Sequence, residues 1–121
     1  MIQSFKDLIV WQKAMEMASM TYSLTKTLPK EELFSLTNQM RRAAISVPSN
    51  IAEGYGRNSQ KEYLQFLAIA KGSLCELETQ FLLCVRINYL TENEIQPILD
   101  LLMEIGKMLL SITKKLKVTA A

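Results

Sequence analysis

From Ile95 to Leu116 the apolar residues Ile95, Ile98, Leu102, Ile105, Leu109, Ile112 and Leu116 follow one another at alternating steps of three and four. This period matches one buried stripe on an α-helix; a strand would change face every second residue. Tyr63, Leu67, Ala70, Leu74, Leu77, Phe81 and Cys84 repeat the pattern upstream, the spacing of a bundle seam. Two long helices of this kind need partners to cover their stripes. The other half of the chain supplies them.

One further helix is expected over about residues 7–27, with Trp11, Ala14, Met15, Ala18 and Tyr22 along its inward face and Ser4 as N-cap. It stops before Leu28-Pro29, because a residue preceding proline avoids the helical region. Another spans about residues 32–56 on the stripe Leu36, Met40, Ala43, Ala44, Val47 and Ile51. Pro48 lies inside it and is expected to kink it without breaking it, since the stripe keeps its spacing through the ring. Gly54 to Asn58 reads as a turn. Ser59-Gln60-Lys61-Glu62 and Thr91-Glu92-Asn93-Glu94 read as capping boxes that open helices over about 60–89 and 92–117. Three short connections make neighbours antiparallel. The expectation is an all-α, up-down-up-down four-helix bundle with a kinked second helix, one domain over residues 1–121.

The apolar content exceeds one seam per helix. Val10, Met17 and Leu24 recur seven apart away from the Trp11 face, and Leu101, Met108, Met103 and Leu110 carry the last helix's apolar surface around most of its circumference. A helix apolar nearly all round is normally buried all round. These seven residues are therefore the candidate contact surface between copies of the chain.

The sequence contains no histidine, which removes Glu-x-x-His di-iron bundles, His-bearing zinc sites and every imidazole-based triad. Gly54-x-Gly56 is too short for a phosphate loop. Glu76 and Glu78, like Glu92 and Glu94, are two apart and point to different helix faces. No catalysis, cofactor or metal is expected. Cys75 and Cys84 lie nine apart on one helix, roughly 13 Å by its rise, so they read as small core residues and not as a disulfide. The N-terminus has no export signal, and the longest apolar run, Phe81 to Val85, is far short of a membrane span; a cytoplasmic location is expected, with no membrane partner.

A net charge of +2 does not demand a nucleic-acid partner, so any such role rests on local clustering. The second helix offers one cluster: Gln39, Arg42, Ser46, Asn50, Glu53 and Arg57 recur at three and four opposite the apolar stripe, with Arg41 beside them. Guanidiniums alternating with small donors suit phosphate, and Tyr55 with Arg57 would stack on a base. The same stripe would equally face water, or Arg42 would pair with Glu53 or Glu76.

The strings FKDLIVWQKAM (Phe5 to Met15), QMRRAAISVPSNIAEGYGR (Gln39 to Arg57) and GSLCELETQ (Gly72 to Gln80) resemble one family. These are the four-helix-bundle proteins encoded in intervening sequences of bacterial 23S ribosomal RNA genes, historically labelled ribosomal proteins. The resemblance covers nearly the whole chain. It implies a ring-shaped homopentamer, similar to the accessory variability protein of diversity-generating retroelements, a barrel that partners nucleic acid and a reverse transcriptase. Those accessory proteins are markedly basic; this chain, at +2, departs from them. The family signature falls on Arg41, Arg42, Ser46, Pro48, Asn50, Glu53, Gly54 and Arg57.

The reading that follows is a homo-oligomeric module binding RNA or a nucleoprotein partner through Arg41, Arg42, Ser46, Asn50 and Arg57. The alternative is a protein-interaction scaffold in which that stripe holds subunits together without nucleic acid. A small-molecule pocket inside the bundle is a third.

Overall fold

The computed structural model describes residues 1–120 and contains four long helices, α1 (Ile9–Thr25), α2 (Leu36–Tyr55), α3 (Gln60–Arg86) and α4 (Glu92–Ala120). Their limits follow from local chemistry. Ser4 Oγ accepts from the Lys6 amide at 3.1 Å, and the Asp7 carboxylate accepts from the Gln3 and Ser4 amides at 2.8 and 3.2 Å. Ser4 thus caps as expected, but what it caps is a separate 3-10 turn over Phe5–Asp7. The backbone is extended at Leu8, and α1 begins two residues later than the sequence suggested. A second 3-10 turn, Lys30–Glu32, takes up the expected start of α2.

Helix α2 runs unbroken through Pro48, which has no N–H to offer the Ala44 carbonyl. Gly54 and Tyr55, which the expected helix and the expected turn shared, are its last residues. Gly54 is there for contact: a Cβ built on it would lie 2.8 Å from Phe66 Cβ, so only a bare backbone lets α2 and α3 approach so closely.

At Ser59 the capping box is half formed: Ser59 Oγ accepts from the Glu62 amide at 3.1 Å, with no carboxylate bond back to the Ser59 amide. At Thr91 it is complete, with Thr91 Oγ1 accepting from the Glu94 amide at 3.1 Å and Glu94 Oε1 from the Thr91 amide at 2.9 Å. Between them α3 stops at Arg86, three residues short of expectation, because Asn88 turns into the left-handed region at φ 65°. The Tyr89 amide then bonds the Cys84 carbonyl at 2.8 Å and the Asn88 amide the Val85 carbonyl at 3.1 Å, a Schellman ending.

Each helix packs on two neighbours. α1 touches α2 and α4, α3 touches α2 and α4, and the diagonal pairs do not approach among the described residues. Cross-helix contacts run in opposite senses, Ser46 to Ser73 and Met40 to Cys84, so α2 and α3 are antiparallel. The fold is the expected four-helix bundle, square in section. Its centre is filled by Phe81, Met17, Met40, Ile51, Leu77 and Ile105, each almost wholly buried. Burying a side chain of this size stabilises by about 1.5–3 kcal/mol. No described helix is long and apolar enough to cross a membrane.

The core face of α1 is turned from the expected one. Val10, Ala14, Met17, Thr21 and Thr25 point inward, while Trp11 and Ala18 sit on the flank and Met15 and Tyr22 are exposed. Buried threonines are tolerated because each hydroxyl bonds back into its own helix: Thr21 to the Met17 carbonyl at 3.0 Å, Thr25 to that of Thr21 at 2.7 Å.

Candidate interaction surfaces

A square bundle has four outer grooves, and their chemistry differs. The α2/α3 groove is polar. Asn50 Nδ2 donates to the Ser46 carbonyl at 2.7 Å and to Ser46 Oγ at 2.9 Å, and Ser73 Oγ donates to Ser46 Oγ at 2.8 Å. Ser46 therefore ties α2 to α3, while Asn50 is spent on Ser46 one turn back in its own helix. Beside them Gln39, Arg42, Ser73 and Glu76 line a shallow cleft of about 290 Å³. Gln80, one turn further along α3, is 7% exposed, and its Oε1 has no hydrogen-bond partner.

The arginines expected to act together are dispersed. Arg41 turns to α1: its Nε donates to Thr25 Oγ1 at 3.0 Å and its guanidinium stacks 4.7 Å over the Tyr22 ring. Arg57 stacks 4.9 Å over Phe66 of α3, and Tyr55 meets Tyr63 edge-on at 6.2 Å, so both members of the expected base-stacking pair are engaged within the chain. Arg42 is exposed at the rim of the α2/α3 cleft and has no hydrogen-bonding or stacking partner among the described residues. It pairs with neither Glu53 nor Glu76; the ion pair found among the described residues is Lys13–Glu104, 3.2 Å, across α1 and α4.

The two cysteines part company. Cys84 is buried and touches Met40 Sδ at 3.7 Å; burial, with the Glu32 charge second, pushes its thiol up to about 11, so it stays protonated and inert. Cys75 is exposed, contrary to the core role expected for it.

The seven residues proposed as a contact surface divide three ways. Val10, Met17 and Leu101 are in the core of the single chain and are unavailable to a partner, for Val10 and Met17 a consequence of the turned α1 face. Leu24 and Met108 are half-buried against that core. Met103 and Leu110 remain exposed. The apolar excess is nevertheless present elsewhere. On α1/α2, Trp11, Met15, Ala18, Ile45 and Pro48 line an apolar groove of about 380 Å³. On the opposite side, α3/α4 has two clefts, of about 360 and 170 Å³, lined by Leu82, Val85 and Leu99 and by Leu64, Ala68 and Leu110. Ile45 and Leu82 had no signal in the stripe pattern beyond lying one step off a seam, and Met15, expected on the inward face of α1, is exposed instead.

Residues 6–111 match the family described as 23S rRNA-intervening sequence protein. The chain belongs to that family. In keeping with membership, the fold is similar to the crystal structure of a protein of unknown function from the S23 ribosomal protein family of Bacteroides thetaiotaomicron. The likeness has a TM-score of 0.81 at 30% identity, covering 88% of this chain and 99% of that one. No curated protein matches the sequence. The three strings that carry the resemblance all lie within the matched residues save Phe5, and so do the buried Gly54 and the Ser46–Asn50 pair.

Proposed function

We propose that this protein is a non-catalytic helical scaffold that works by associating with copies of itself. The observation that supports this most is the pair of apolar faces left open by a fully packed chain. Met15 and Ile45 stand out on α1/α2, and Leu82, Met103 and Leu110 on α3/α4. Contiguous apolar surface of this kind marks an interface. The polar stripe of α2 contributes little to it, because Ser46 and Asn50 already bond within the chain. Light scattering after size exclusion tests the reading. A discrete mass several times the 13.8 kDa chain is expected, and a monomer at 100 μM and above defeats it.

A second reading, RNA binding, is favoured by Arg42. It is exposed, free of any carboxylate partner among the described residues, and flanked by the donor Gln39. A guanidinium so placed is suited to phosphate. Repetition around an assembly would multiply one such contact per chain by avidity. Titrating RNA affinity against salt is the check: log affinity should fall by roughly 0.7 per counterion released from a single strand, and a flat line rejects the contact.

A further inference from the structure

Helices α2 and α3 come close at two places. Near the end of α2 the bare backbone of Gly54 lies against Phe66, and nearer its middle Ser73 Oγ donates to Ser46 Oγ at 2.8 Å. From Ser46 towards the start of α2 the groove is floored by small residues, Ala43, Ser46 and Ser73, while Gln39, Arg42 and Glu76 stand exposed along its rim. A short floor between long walls leaves the recess of about 290 Å³. This is just under the roughly 300–1,000 Å³ of most ligand pockets, which suits a molecule of amino-acid size.

We infer that this cleft binds a small zwitterion of the α-amino-acid type, its carboxylate held by Arg42 and Ser46 and its ammonium by Glu76. The two walls carry opposite charges that do not meet. Arg42 and Glu76 both line the cleft, yet neither is in an ion pair among the described residues. The donors are grouped on α2, where Ser46 follows Arg42 by four residues and so lies one turn away on the same face. Ser46 Oγ accepts from Asn50 at 2.9 Å and from Ser73 at 2.8 Å, and its own proton has no acceptor among the described residues. A guanidinium beside a spare hydroxyl proton suits a carboxylate. The acceptors are on α3. Glu76 receives no hydrogen bond among the described residues, and one turn further along, Gln80 keeps a buried Oε1 without a partner.

Other ligand classes match only half of this pattern. A phosphate or a polyanion meets Glu76 as a like charge, and a simple cation meets Arg42 in the same way. A neutral polar molecule forgoes both charges, and hydrogen bonds to ionised groups are about twice as strong as neutral ones. A zwitterion answers both walls at once. The cleft lies apart from the apolar α1/α2 groove and from the α3/α4 clefts, so the inference does not depend on whether copies associate.

The test is calorimetric titration of the full chain with a panel of the common L-amino acids and glycylglycine. Acetate, methylammonium, inorganic phosphate, guanosine and oligouridylate serve as comparisons. At least one amino acid or the dipeptide should bind saturably at millimolar concentration or below. Acetate and methylammonium, each with half the charge pattern, should bind about tenfold more weakly or worse. Arg42→Gln and Glu76→Gln, both at exposed positions and checked for folding by circular dichroism, should each weaken that binding by about tenfold or more. Glu76→Gln also separates this ligand from RNA, because removing the carboxylate should tighten a polyanion and loosen a zwitterion. In the parent, amide NMR shifts on titration should centre on Arg42, Ser46, Ser73 and Glu76. Each of four results overturns the inference: no saturable binding across the panel, a comparison ligand binding as tightly as the best amino acid, binding that Glu76→Gln leaves unchanged or strengthens, or shifts centred elsewhere. Any of these leaves self-association standing.

Discussion

Tyr89 Oη donates a 2.8 Å hydrogen bond to Glu32 Oε2, clasping the turn after α3 to the turn before α2. The Ser35 hydroxyl donates to the other carboxylate oxygen at 2.6 Å. Ser35 first, then Tyr89, holds the Glu32 carboxyl below its ordinary 4.5, and the bond to Glu32 lifts Tyr89 above its ordinary 10.0. The signs are opposite. Glu32's contribution to stability is present above 4.5 and is lost as pH falls through its lowered value; Tyr89's is present below 10.0 and is lost as pH rises through its raised value. Urea melts of the parent and Tyr89→Phe across that range should show a difference at neutral pH that shrinks at both extremes. A gap that is constant with pH would mean that the charge on Glu32 contributes nothing to the clasp.

Gly54→Ala should destabilise, against the usual preference of helices for alanine. The added carbon would sit 2.8 Å from Phe66 Cβ, 3.0 Å from Tyr63 Cδ1 and 3.3 Å from the Tyr63 carbonyl oxygen. Two of those atoms cannot swing away, so α2 must back off α3. Overpacking of this kind costs about 1–3 kcal/mol, which outweighs a helix-propensity gain of about 1 kcal/mol. A urea midpoint at or above the parent's would contradict the account.

Gly72→Ala should do the reverse. Gly72 is exposed within α3, with nothing within 4 Å of the position a Cβ would take. Propensity then acts alone, and the substitution should stabilise by about 0.5–1 kcal/mol. The same melts read it. A loss of stability would show that the backbone at Gly72 depends on glycine.

Helix number, order and direction were legible because period and capping are local: Thr91 and Glu94 bond as their spacing foretells. The phase of α1 was not. Thr21 and Thr25 look like surface residues in a hydropathy stripe, yet their hydroxyls bond the carbonyls of their own helix and go inside, taking Val10 and Met17 with them. Gly54 reads as a turn because glycine usually breaks a helix, and only the neighbouring helix reveals its packing role. On α3, Ser73 and Gln80 sit inside an otherwise apolar seam, next to Leu74 and Phe81; that interruption was the one available sign of the polar α2/α3 contact. Arg41 and Arg42 are successive, hence about 100° apart on a helix, and that angle alone sends them into different grooves.

The same angle separates what their removal should do. Arg41 donates to a buried threonine and stacks on Tyr22, two contacts together worth about 1–2 kcal/mol, so Arg41→Ala should lower stability by that amount. Arg42 has no partner to lose among the described residues, and Arg42→Ala should stay within about 0.5 kcal/mol of the parent. If the polar cleft takes up RNA, Arg42→Ala should also cut the salt slope by roughly 0.7, whereas Arg41→Ala should leave it unchanged. Urea melts and RNA titrations on the two variants separate the effects. Equal destabilisation by both would mean that Arg42, like Arg41, is spent on the fold, and the cleft would lose its free cation.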